Sequence, residues 1–157
     1  MKKKQRIIFI FLFITWVVFL GFLREYLFVN INYNIEFVSG NRVYNYADSA
    51  LEFMSKYSIS TLYTFKWVGT ILFFLLYWLS GVVLIKVLFQ QKKFIFIYSI
   101  IYLAIFSFAG LSYLSGQIFS EPDEGYRLAR QIMGWGQSPI PLMFLWGGIH
   151  LERKINQ

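Results

Sequence analysis

The chain has 157 residues, of which 57% are hydrophobic, 22% aromatic and only 15% charged. That is more apolar surface than a small soluble core can bury, so the excess must face lipid. The formal charge of +7 does not indicate nucleic acid, because the basic residues sit at the edges of apolar runs and form no stripe interleaved with aromatics. The absence of cysteine excludes disulfides, thiolate metal sites and cysteine nucleophiles.

A basic start with Lys2, Lys3, Lys4 and Arg6 leads into Ile7 to Leu23, an apolar run without a charge. As a helix it is about 26 Å long, close to the hydrocarbon thickness of a bilayer. The sequence continues Arg24-Glu25-Tyr26-Leu27-Phe28. No small-residue pair is spaced there for cleavage, so the run reads as an uncleaved anchor and not as a signal peptide.

In the loop 24–66, Asn30, Asn32 and Asn34 alternate with Ile31, Tyr33 and Ile35, a period-two pattern that predicts an extended segment. Asn45 as N-cap with Asp48 at the third helical position then predicts a helix on the membrane surface. It would present Tyr46, Ala50, Phe53 and Tyr57 on one face.

The second run, Trp67 to Phe89, is long enough to span, and its single charge, Lys86, lies within a turn of its end. Gln90-Gln91-Lys92-Lys93 separates it from the third run, Phe94 to Ser115, so the two predict a helical hairpin with a basic turn. In the loop 116–132, Glu121-Pro122-Asp123-Glu124 suits a helix N-terminus, and Arg127 and Arg130 follow one turn apart on one face.

Gly134-Trp135-Gly136 reads as a break, with Ser138 as N-cap and Pro139 at the first helical position beyond it. The last run, Pro139 to Leu151, is short at about 20 Å. It completes a fourth span over 133–151 with help from Ile132-Met133, or folds as a re-entrant loop.

With four spans, one side carries Lys2, Lys3, Lys4, Arg6, Lys86, Lys92, Lys93, Arg153 and Lys154 against Glu152 alone. The other carries Arg24, Arg42, Lys56, Lys66, Arg127 and Arg130 among seven acids. The bias in Lys and Arg places both termini in the cytoplasm. The expectation is an all-α polytopic membrane protein. It is a single domain over 1–157, a bundle of about four transmembrane helices with spans near 7–23, 67–89, 94–115 and 133–151 and an amphipathic helix in the outer loops.

Chemistry finds little foothold. Charges are absent from the centres of the first three runs, which argues against a proton-coupled carrier or a charge-lined pore. His150 is a lone imidazole beside Glu152, Arg153 and Lys154 and reads as an interfacial side chain. The string Glu124 to Arg130 is similar to part of the motif of CDP-alcohol phosphatidyltransferases. No aspartate follows Asp123, so their metal-binding carboxylates have no counterpart.

What remains is a polar ring at the outer face: Arg24, Asn30, Asn32, Arg127, Arg130, Gln137 and Ser138. One reading makes them snorkelling arginines and helix caps. The other makes them a cluster for a partner's acidic group or a lipid phosphate, since arginine forks match such oxyanions.

The basic start, the segment EYLFVNIN after the first span, the hairpin helix ending LIKVLF and the closing RLARQIMGWGQSPIPLMFLW together resemble the small exosortase-system-associated membrane proteins of bacteria. That family carries paired arginines before a Pro-Leu run, which Arg127, Arg130 and Pro141-Leu142 could match. This chain departs from it in ending GGIHLERK.

The resemblance implies an accessory, non-catalytic role beside exosortase, a membrane cysteine transpeptidase, in the bacterial cytoplasmic membrane. The expected partners are therefore membrane lipids and an exosortase or another membrane protein, with no nucleic acid, cofactor or metal. The alternative is a small membrane enzyme or lipid-handling protein that uses the outer arginine cluster.

Overall fold

The computed structural model describes residues 3–155. They form α1 (Lys3–Val38), a short 3-10 helix (Glu52–Lys56), α2 (Ile59–Phe89), α3 (Lys92–Ile118), α4 (Pro122–Gly136) and α5 (Ile140–Ile155). There is no strand among the described residues. Helices α1, α2 and α3 are each long and apolar enough to cross a membrane, and large apolar side chains such as Phe22, Leu79 and Leu103 stand exposed along them. The chain is thus an integral membrane protein.

These helices overshoot the apolar runs. Helix α1 continues for fifteen residues past Leu23 to Val38, so the expected extended segment at Asn30–Ile35 is helical. Adding a residue to an existing helix costs far less than starting new structure, and nothing between Arg24 and Val38 breaks it. Helix α2 begins eight residues before Trp67, at Ile59. The α2–α3 turn is tight, with Gln90 in the left-handed region at φ 55° and Gln91 extended as the N-cap of α3.

Two compact units are present, Val18–Phe73 and the pair Met1–Val17 with Phe74–Gln157. In the first, Ile31, Ile35 and Leu62 form a small core with Val38 and Met54 packed against it, and the Phe28 ring lies 6.1 Å from that of Phe73. The helix expected from Tyr46 to Tyr57 is reduced to the 3-10 turn Glu52–Lys56. Asn45 does not cap it, because its side chain is engaged elsewhere.

The second unit has an aromatic interior. Tyr98 and Tyr102 lie 4.8 Å apart, Phe74 packs 5.0 Å from Tyr102, and indole N–H groups are satisfied by serines, Trp16 by Ser80 at 2.9 Å and Trp78 by Ser99 at 3.2 Å.

Helix α4 turns back along α3. Gly125 meets Gly116 and the carbonyl of Gly136 meets Tyr102, so α4 retraces roughly 20 Å of α3 at 1.5 Å per residue. Helix α5 then continues in the same direction to Trp146, whose ring lies 5.4 Å from Phe89. Phe89 in turn touches Phe94 at the start of α3. In series, α4 and α5 follow α3 over nearly its full length.

Candidate functional site

The α4–α5 pair departs from the sequence expectation at its joint. Helix α4 runs through Gly134-Trp135-Gly136 instead of breaking there. A Cβ at Gly136 would collide with the Phe74 ring, so this glycine serves close packing, not a turn. The break falls at Gln137-Ser138-Pro139.

There the Ser138 hydroxyl accepts the Ile140 N–H at 3.3 Å and donates to the Trp135 carbonyl at 2.6 Å. The carbonyl of Pro139 accepts from Leu142 and Met143. The helix thus starts at Ile140, with Pro139 in the N-cap position, one residue later than the expected Ser138 cap, and the Ser138 hydroxyl still serves the first N–H of the helix. Tyr102 donates to the Gly136 carbonyl at 2.9 Å, which satisfies a freed acceptor at the helix end. Gln137, only 4% exposed, is buried at this joint.

Above the joint, α4 has two unlike faces. Gly125, Ala129, Met133 and Gly136 are buried, whereas Asp123, Glu124, Arg127, Arg130 and Gln131 are exposed. Arg127, 76% exposed, pairs with Glu124 at 2.5 Å. Arg130 makes no ion pair among the described residues.

The part of α3 alongside exposes Leu103, Phe106, Phe108, Leu111 and Leu114, and α5 exposes Met143, Phe144 and Trp146. A charged face is thus flanked by surfaces that suit lipid.

Between the C-terminal end of α3 and the N-terminal end of α4 lies a groove of about 410 Å³, lined by Ser112, Ser115, Phe119, Glu121, Glu124, Arg127, Leu128 and Gln131. Its floor is Gly116 against Gly125.

The remaining expected site residues belong to the other unit and are described within it. Arg24 lies with its guanidinium 5.6 Å from the Phe28 ring centre. Asn32 accepts from the Lys66 ammonium at 2.8 Å. Asn30 donates to the Tyr26 carbonyl at 2.7 Å and accepts the Asp48 N–H at 2.6 Å.

Asn34, absent from the expected ring, is fully buried at 0% exposure. Its amide donates to the carbonyls of Asn30 and Leu51 and its oxygen accepts from Asn45. Asn45 accepts the Ala47 N–H, an Asx turn. Asn30 and Asn34, one turn apart, therefore fasten the loop to α1 with both amides used. The spacing of four was the available signal for Asn34.

Among the described residues no group of three or more His, Asp or Glu is placed to hold a metal ion, and the side chain of His150 lies outside them. No protein-family model, curated protein or solved structure matches the chain.

Proposed function

We propose that this protein is a non-catalytic accessory subunit of the membrane, that α4 and α5 in series make its fourth crossing, and that the charged face of α4 docks a second membrane protein. The carrying observation is the outward face with Arg127 exposed and Arg130 without an ion pair, alongside apolar α3 surface at the same level. Lipid tails cannot cover such a face, since a charge within a bilayer faces protein, water or headgroups. A helix broken within a crossing is tolerated where its freed backbone groups are satisfied, as Tyr102 and Ser138 do here.

Both termini are then cytoplasmic by the positive-inside bias. A second copy is a poor occupant. Two-fold symmetry about the membrane normal would set Arg130 across from Arg130, so the partner is a different protein with an acidic or polar face. An exosortase-type sorting enzyme is the candidate that the family resemblance supplies.

The test is site-specific photo-crosslinking in native membranes from position 134, which lies in open space on the charged side of α4, and from position 144, a phenylalanine 75% exposed on α5. A discrete protein adduct at 134 with lipid adducts at 144 is expected. Lipid adducts alone at both positions would falsify the docking reading.

A further inference from the structure

We infer that the groove between the outer ends of α3 and α4 is a headgroup site for a phospholipid carrying a primary ammonium, of the phosphatidylethanolamine class. This does not rest on partner docking. By the helical step of about 100° per residue, Arg130 points roughly 100° round α4 from Gln131, so a docking face centred on Arg130 and the groove overlap along one edge, where Glu124, Arg127 and Gln131 line the groove.

The chemistry of the lining selects the ligand. Ser112 already donates its hydroxyl proton to the Phe108 carbonyl, and Ser115 donates to the Ser112 carbonyl. Their oxygens are thus left as acceptors. Glu121 and Glu124 are acceptors when ionised. A groove with four acceptor side chains favours a cation with several N–H donors, which a primary ammonium has and a quaternary one lacks.

The donors lie together farther along α4. Arg127 offers one terminal nitrogen to Glu124, which leaves the rest of its fork for a phosphate oxygen, and Gln131 is one turn deeper.

The order of these groups along the membrane normal supports the assignment. Because α4 runs antiparallel to α3, Glu121 is outermost, Arg127 lies below it and Gln131 below that. Exposed Leu128 supplies apolar wall beside Arg127 and Gln131. A lipid of the outer leaflet presents ammonium, phosphodiester and acyl chain in the same sequence. A groove of about 410 Å³ admits such a headgroup, and the Gly116–Gly125 contact keeps its floor free of side chains.

The experiment takes the full-length protein in lipid nanodiscs containing equal amounts of phosphatidylethanolamine, its mono- and dimethyl derivatives, phosphatidylcholine and phosphatidylglycerol, and reads retained lipid by native mass spectrometry. Retention should fall stepwise with each methyl group, with phosphatidylethanolamine favoured over phosphatidylcholine by about tenfold, the scale of one charge-assisted hydrogen bond. The double variant Glu121→Gln/Glu124→Gln should abolish that preference while keeping the thermal stability of the unaltered protein. Equal retention across the methyl series, a preference for phosphatidylglycerol, or a double variant that keeps the preference would each overturn the inference.

Discussion

Gly116 and Gly125 meet backbone to backbone: a Cβ on Gly116 would lie 2.6 Å from the Cα of Gly125, and one on Gly125 would lie 2.5 Å from the Cα of Gly116. Both neighbours are main chain, so neither can move aside without shifting a helix. The close approach of small residues is a main source of helix association in lipid, where apolar contact with a neighbour gains nothing over contact with tails.

Gly125→Ala is therefore expected to lower stability in detergent by about 1–3 kcal/mol, the scale of overpacking a tight contact. Gly134→Ala, at a position with open space around it, should leave stability unchanged or raise it by up to about 1 kcal/mol through helix propensity. Thermal unfolding in one detergent compares the two. Equal effects would mean that the α3–α4 contact is not the tight one.

Removing the hydroxyl at the joint tests the latch there. Tyr102→Phe keeps the ring packing with Phe74 and Tyr98 but leaves the Gly136 carbonyl without its donor. The cost should be about 1–3 kcal/mol if no water replaces the hydroxyl. Hydrogen exchange should rise at the end of α4 and the start of α5, with α2 unaffected. A uniform rise across the chain would contradict a local role.

The asparagine pair yields a different kind of prediction. In Asn34→Leu the buried volume is nearly kept, but Leu51 and Asn45 lose their partner. Limited proteolysis between Arg42 and Leu51 is expected to accelerate by about tenfold, the factor for roughly 1.4 kcal/mol of local opening. Asn32→Leu, which loses only the Lys66 contact, should leave cleavage near the original rate.

For topology, reporters after Gln91 and Gln157 are expected to read cytoplasmic and those after Asn45 and Gln117 external, from the distribution of Lys and Arg. An external reading at Gln157 alone would replace the α4–α5 crossing by a re-entrant segment.

Arg130→Glu should abolish the crosslink from position 134, since it sets an acid against an acidic partner face. Arg130→Lys should weaken it by less, about tenfold or below, because charge is kept while the fork is lost. Protein level should be unchanged in both, as Arg130 makes no ion pair among the described residues.

Long apolar runs and their charged flanks made the first three helices legible in the sequence, the acids after Glu121 announced the start of α4, and Ser138-Pro139 placed the start of α5 one residue early. The error at Asn30–Ile35 has a specific origin. The asparagines at 30, 32 and 34 fit a period of two, yet residues 30 and 34 also share a helix face. Six residues cannot separate the two patterns without the 27-residue helix that precedes them.

The glycines near Trp135 were misread for a related reason. Glycine marks breaks and close contacts alike, and only the Phe74 ring against Gly136 distinguishes them. Of the polar ring, Ser138 and Asn30 make hydrogen bonds to nearby backbone groups. The lone position of Arg130 depends on which side of α4 packs on α3, information that a single chain of letters does not hold.

The joint at Gln137-Ser138-Pro139 also bears on how the protein is made. Neither half of the proposed crossing is a strong insertion signal by itself: the part of α5 from Ile140 to Ile149 is a short apolar helix, and α4 carries Asp123, Glu124, Arg127 and Arg130, charges that disfavour insertion. In the proposed α4–α5 crossing, passage into lipid would draw on a surface already present, which α3 offers in the glycine contact, the Tyr102 hydroxyl and the apolar side chains between them. The segment from Pro122 onward would then be a late passenger of the nascent chain. Its membrane integration would be a folding event templated by α3, whereas the three earlier helices are each long and apolar enough to cross by themselves.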